Sequence, residues 1–304
     1  MKRFALALTG VFLAFSSHAI IPDRKYIRLP QQEGLIYKEL DVVTDDGYGI
    51  ETWFYPAQDM PVDGAGQDDM LPYRTLDAQK RPTLVICNGD AGNMSYQQVW
   101  MAGLYASCGV NVVTFDWRGF GTSSDFEMDP DYLCYTEMLS DYAAVVDEVE
   151  RQPEVDTGEI YLMGWSTGAY LSMMTAYADA GVRGCILCGT PSSFEDAVPQ
   201  LVKTHPQGKT EAELIVPDDF PKDRMPAYIA GEFRKPLLLV VGSEDDRTPL
   251  WMSEKIFDAL PDGIDKRLSV FEGAGHGGTE APYVADMERW LVETVSFLSD
   301  NSGE

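Results

Sequence analysis

The sequence predicts an α/β fold, a mostly parallel sheet of about eight strands with helices on both faces, built as one domain over residues 20–304. Three observations predict it. Short apolar runs alternate with longer helical patterns from Leu35 to Leu298. Most of these runs are continuous in Val, Ile and Leu, the mark of strands covered on both faces. With 304 residues, 45% of them apolar, the chain can also bury a large core.

Taken in order, Leu35–Val43 and Gly49–Tyr55 read as an antiparallel pair turning through Asp45-Asp46-Gly47, residues that favour a tight turn. A loop rich in Pro, Gly and Asp follows, from Ala57 to Arg81. Thr83–Cys87 reads as a strand, Tyr96–Ser107 as a helix, Val110–Phe115 as a strand and Tyr132–Arg151 as a helix. Glu159–Met163 and Gly184–Cys188 are strands flanking a helix at Gly168–Asp179. Leu237–Val241 and Lys266–Phe271 are the last strands, and Trp251–Leu260 and Tyr283–Leu298 the last helices. Between Pro191 and Lys235 the rhythm breaks. That stretch holds six prolines and no long apolar strand, so it is predicted to be a lid insertion, at about 191–235. From pattern alone, a Rossmann-type sheet would read in much the same way.

The N-terminus reads differently. Lys2 and Arg3 precede an apolar run, Phe4–Phe15, and Ser17-His18-Ala19 ends it with small residues at the positions a signal peptidase reads. The run is shorter than the roughly 20 residues that a permanent membrane helix needs. Residues 1–19 are therefore expected to be a signal peptide, and the mature protein to be secreted or periplasmic without a membrane span. Its loss removes two cations and no anion, taking the formal charge from −26 to −28. Such a surface repels polyanions, so nucleic acid is not an expected partner. The five cysteines cannot all pair within one molecule. Cys185 and Cys188 lie three apart on a predicted strand, which puts them on opposite faces and argues against a shared metal or redox role.

The chemistry sits in a serine motif and a histidine. Gly164-Trp165-Ser166-Thr167-Gly168 has the Gly-x-Ser-x-Gly spacing, directly after an apolar strand and directly before a helix. Small flanking residues let the chain turn sharply and thrust Ser166 outward as a nucleophile. Of the three histidines, His18 falls in the leader and His205 in the lid. His276 follows the last strand within Gly273-Ala274-Gly275-His276-Gly277-Gly278, so it is the candidate general base. The acid should lie between Ser and His in this chain order. Glu244, Asp245 and Asp246 all follow strand Leu237–Val241, and Asp245 is the preferred partner of His276, with Asp246 next.

Together with Cys87-Asn88-Gly89-Asp90-Ala91-Gly92-Asn93 and Asp116-Trp117-Arg118-Gly119-Phe120-Gly121, these motifs resemble the α/β-hydrolase superfamily, in the branch of small carboxylesterases and protein depalmitoylases. The resemblance implies a Ser166–Asp245–His276 triad, with an oxyanion hole from the backbone N–H groups of Asp90 and Thr167. It implies no metal or cofactor and a small-molecule acyl ester as substrate. Two positions depart from the branch. Asn88 stands where His is usual, and Asp90 puts a carboxylate beside the hole where a neutral residue is commoner. Asp116 and Arg118 are expected to hold their loop together. Aromatics of the lid, Phe194, Phe220, Tyr228 and Phe233, are candidates to line an acyl pocket, but aromatics in a packed lid are as often part of the core. A serine peptidase and a catalytically dead binding protein of the same fold are the rival readings.

Overall fold

A computed structural model describes residues 19–58, 79–204 and 210–303. The leader up to His18, most of the Pro/Gly loop, and His205 of the lid lie outside the described residues.

Eight strands form the main sheet: β1 (Lys38–Val43), β2 (Gly49–Tyr55), β3 (Arg81–Cys87), β4 (Asn111–Phe115), β5 (Val155–Trp165), β6 (Val182–Cys188), β7 (Leu237–Gly242) and β8 (Lys266–Phe271). Their spatial order is β1-β2-β4-β3-β5-β6-β7-β8. Only β2 runs against its neighbours; every other pairing is parallel.

Alternation along the strands divides the core in two. Val85, Val113, Leu162, Leu187 and Leu239 face one side, where α2 (Glu137–Glu150), α3 (Thr167–Ala178) and α5 (Leu250–Ala259) pack. Leu84, Val112, Met163, Ile186 and Val240 face the other, under α1 (Gln98–Ser107) and α6 (Met287–Asn301). Cys185 belongs to the first core and Cys188 to the second, so these two free thiols are separated by the sheet. Burying one large aliphatic side chain is worth about 1.5–3 kcal/mol, more than helix propensities differ, so packing decides where helices run. Helix α3 is the extreme case: ten of its twelve residues are buried.

Two predicted helices are shorter or broken. Residues Tyr132–Thr136 were expected to begin α2 but lie outside it, because Tyr132 bridges to Ile215 and the Leu133 N–H donates to the Ile215 carbonyl. The last helix is split into Pro282–Ala285 and α6 at Asp286, whose side chain caps α6 by accepting the Arg289 N–H. Among its described residues the lid carries the helix α4 (Phe194–Thr204), with Pro199 inside it, and a single helical turn, Pro226–Ile229.

After β4, Asp116 and Arg118 tie segments together. Arg118 is fully buried and pairs with Asp141 of α2 at 2.7 Å and with Asp46 of the β1–β2 turn at 2.6 Å. Asp116, 1% exposed, accepts hydrogen bonds from the Met94 N–H, the Asn88 side-chain amide and the Tyr26 hydroxyl. Burial nevertheless pushes its carboxyl up to about 7. The native state thus holds this proton at pH values where the unfolded chain has lost it. The stabilisation is complete below pH 4 and disappears as pH rises through 7. An asparagine in place of Asp116 could keep every contact, with Tyr26 turning acceptor. Asp116→Asn is therefore expected to stabilise the protein at pH 8 by up to about 4 kcal/mol, the shift from 3.8 to about 7 at 1.36 kcal/mol per unit. The gain should vanish near pH 4. Urea unfolding at pH 4.5, 6 and 8 checks this; parallel curves for the two proteins would contradict it.

Candidate active site

Strands β3, β5, β7 and β8 end on the same edge of the sheet, with Cys87 beside Gly164 and Gly242 beside Phe271. The strand order changes direction next to β3, and such switch points leave a crevice beyond the strand ends. The four loops that leave this edge carry Asp90, Ser166, Asp245 and His276.

Ser166 sits between β5 and α3 with φ 52° and ψ −113°, the only non-glycine residue at positive φ among those described. Such a backbone is strained for a residue with a side chain. What holds it is contact on both flanks. A Cβ on Gly164 would run into the Gly168 carbonyl, and one on Gly168 into the Asn88 carbonyl. The Ser166 N–H donates to the Cys188 carbonyl at 2.9 Å, which fixes the elbow to β6.

His276 and Asp245 meet directly. The imidazole Nδ1 lies 2.8 Å from one Asp245 carboxylate oxygen and 3.0 Å from the other. Asp245 is 4% exposed and also accepts from the Arg247 N–H, the Thr248 N–H and the Thr248 hydroxyl. Burial raises its carboxyl, but the hydrogen bonds from His276 and Thr248 outweigh that and hold it below the usual carboxylate range. Glu244 and Asp246 are exposed. Gln200 of the lid helix reaches the Asp246 carbonyl, not its carboxylate.

The loop that carries His276 is anchored from the elbow, since the Trp165 indole N–H donates to the His276 carbonyl at 2.9 Å. Gly273-x-Gly275-x-x-Gly278 also has the spacing of a dinucleotide-binding turn. Here it leads only into a single turn, Gly278–Glu280, and the short helix Pro282–Ala285.

Ser166, Thr167, His276 and Asp90 line one pocket. Thr167 opens α3, so its N–H has no intrahelical acceptor and points out of the helix start, where the dipole favours negative charge. The Asp90 loop rests on the elbow: a Cβ on Gly89 would lie 3.7 Å from Ser166 Cβ. Burial pushes the Tyr170 hydroxyl in the pocket wall well above its ordinary value. Asn88 is buried, bonded to Asp116 and Gln98.

Of the four lid aromatics, only Phe194 lines the pocket. Phe220 and Phe233 are buried in the core, and Tyr228 is exposed. Leu133, Tyr170 and Leu201 complete an apolar wall, and Arg247 and Thr248 the polar rim. The sequence did not single out these wall residues. Tyr170 could have been found, since it stands one helical turn after Ser166. Leu133 and Leu201 carry no comparable signal.

Residues 94–303 match the model of the prolyl oligopeptidase family. The uncharacterized protein YfhR of Escherichia coli O157:H7 is 24% identical over 241 residues, 79% of this chain and 73% of that protein. The Pyrococcus furiosus esterase Pf2001 superposes with a TM-score of 0.71 at 17% identity, over 93% of this chain and 98% of its own. A puromycin-hydrolyzing peptidase of Mycobacterium tuberculosis gives a TM-score of 0.66 at 17% identity, over 88% of this chain and 40% of its own. The architecture is that of the α/β hydrolases.

Proposed function

The chain belongs to the prolyl oligopeptidase family, and from that premise we propose that it is a serine hydrolase cleaving an ester or related acyl bond through Ser166, His276 and Asp245. One observation carries the reading: His276, paired from behind with the buried Asp245, shares a pocket with a serine on a strained elbow. Ser166 attacks the substrate carbonyl while His276 takes its proton. The oxyanion is received by the N–H groups of Asp90 and Thr167. His276 then protonates the leaving alcohol, and water repeats the sequence to free the acid. Asp245 keeps the His276 proton on Nδ1 and stabilises the imidazolium.

The wall of Leu133, Tyr170, Phe194 and Leu201 suits an apolar acyl group. Because the family match and a similar solved structure both bear peptidase names, a serine peptidase of the same mechanism is the second reading. A non-catalytic binding protein is disfavoured, since all three triad residues are kept in register. We also propose that residues 1–19 are a secretory leader and that the mature enzyme works in the periplasm or outside the cell, on the strength of the charged start and the Ser17-x-Ala19 end. Among the described residues no helix is long and apolar enough to cross a membrane.

The test is labelling by a fluorophosphonate, followed by turnover of p-nitrophenyl esters of rising acyl length beside peptidyl p-nitroanilides. Labelling with ester turnover is expected. Turnover of anilides alone would move the assignment to the peptidase, and a protein that neither labels nor turns over is not a serine hydrolase.

A further inference from the structure

The N–H of Asp90 sits in a ten-residue connection between β3 and α1 whose strand-like pairing, among the described residues, is made with the N-terminal segment. Ile21 and Pro22 pair in parallel with Ala91 and Gly92. The Ile21 N–H donates to the Asp90 carbonyl at 2.7 Å, and the Asp23 N–H to the Gly92 carbonyl at 2.8 Å. In return the Asn93 amide donates to the carbonyls of Asp23 and Lys25, both at 2.9 Å, and the Tyr96 hydroxyl to the Asp23 carboxylate at 2.7 Å. A second tie runs underneath. Tyr26 donates to one oxygen of Asp116 at 3.0 Å, and the other oxygen accepts the Met94 N–H at 2.7 Å. Tyr26 is itself held against Trp53 of β2, with ring centroids 5.0 Å apart. This strap lies wholly outside residues 94–303, the part matched by the family model. It touches the Asp90 loop rather than the triad.

We propose that the strap Ile20–Tyr26 is a positioning element for the oxyanion hole, with Asp23 and Tyr26 as its positioning residues. This rests on the serine-hydrolase reading above. Grip on the Asp90 and Gly92 carbonyls fixes the peptide planes that follow those two residues; the Asp90 Cα is held on that side, which limits the rotation left to the preceding plane and so the aim of the Asp90 N–H. A donor helps only when it points at the place where the charge develops, so loosening the strap weakens the transition state and leaves the ground-state complex nearly alone. The acyl wall belongs to other elements, α3, α4 and Leu133, and substrate binding is therefore not expected to follow.

The experiment uses the full-length protein with Asp23→Ala and, separately, Tyr26→Phe. Three quantities are read: kcat and KM on a p-nitrophenyl ester, the affinity of a phenylboronic acid, whose tetrahedral anion occupies the oxyanion hole, and the melting temperature. Full loss of one oxyanion donor costs about 10²–10³ in rate, so a misaimed donor is expected to lower kcat by about 10- to 100-fold, with KM held within about threefold. Boronate affinity should fall by the same factor as kcat. Should Asp23→Ala fail to fold, Tyr26→Phe decides, since it removes a single oxygen. Folded variants with wild-type kcat and boronate affinity overturn the strap proposal alone. A parallel rise in KM without loss of kcat overturns it too, because that is the signature of a disturbed binding wall. Wild-type protein that neither turns over ester nor binds boronate overturns the hydrolase reading, and the strap with it.

Discussion

Ser166→Ala is expected to abolish fluorophosphonate labelling and to lower ester turnover by on the order of 10⁶-fold, the size of effect seen when a serine hydrolase loses its nucleophile. The fold should survive the change. The contacts that hold the elbow belong to the backbone and to the flanking glycines: the Ser166 N–H bonds to Cys188, and its carbonyl accepts from Ala169 and Tyr170. Alanine keeps all of these and shares the cost of positive φ. Residual turnover is expected too, because the oxyanion donors and the binding wall remain and still accelerate the attack of water by about 10³–10⁴. Labelling with a fluorophosphonate, followed by mapping of the modified residue, checks the assignment. The nearby Ser192 and Ser193 are both buried, and Ser192 is spent on Asp196 at 2.5 Å. Labelling that persists at either of them, or at any other serine, would sink Ser166.

How much of this was legible follows from how local each signal is. The elbow was readable because its requirement is local: a strand, a turn too tight for side chains at Gly164 and Gly168, and a helix, all within a dozen residues. The parallel strands were readable because burial on both faces leaves continuous Val/Ile/Leu runs such as Leu237–Val241. Errors fall where a distant segment decides the outcome. Tyr132–Thr136 has a helical pattern, yet Ile215 of the lid takes its backbone into a bridge. For Phe220 and Phe233 the sequence left pocket and core equally open, and packing puts both in the core. Helix α4 was hidden by Pro199, which has no N–H to give the Glu195 carbonyl. Nothing in Ile20–Tyr26 announces that it grips the Asp90 loop, because that pairing spans about seventy residues of sequence.

The choice among three adjacent acids is where sequence and geometry meet most sharply, and it gives the second large effect. Asp245→Asn is expected to lower kcat by about 10⁴-fold, as the corresponding change does in a serine protease. The neighbouring variants Asp246→Asn and Glu244→Gln should stay within a few-fold of wild type. The reason lies in the donors that surround Asp245. Its two oxygens receive the Arg247 N–H, the Thr248 N–H, the Thr248 hydroxyl and His276 Nδ1. An asparagine has only one acceptor oxygen for these, and the backbone N–H groups of Arg247 and Thr248 cannot rotate away. The oxygen therefore stays with them and the new amide N–H₂ faces His276. Imidazole must then accept at Nδ1, which moves its proton to Nε2 and leaves it unable to take a proton from Ser166. Asp246 has no such role, because its carboxylate is exposed and only its carbonyl is used, by Gln200. Steady-state kinetics on the three variants, with melting temperatures to exclude misfolding, make the comparison. A crippled Asp246→Asn beside an active Asp245→Asn would shift the acid by one residue. Near-wild-type activity in all three would remove the carboxylate from the mechanism.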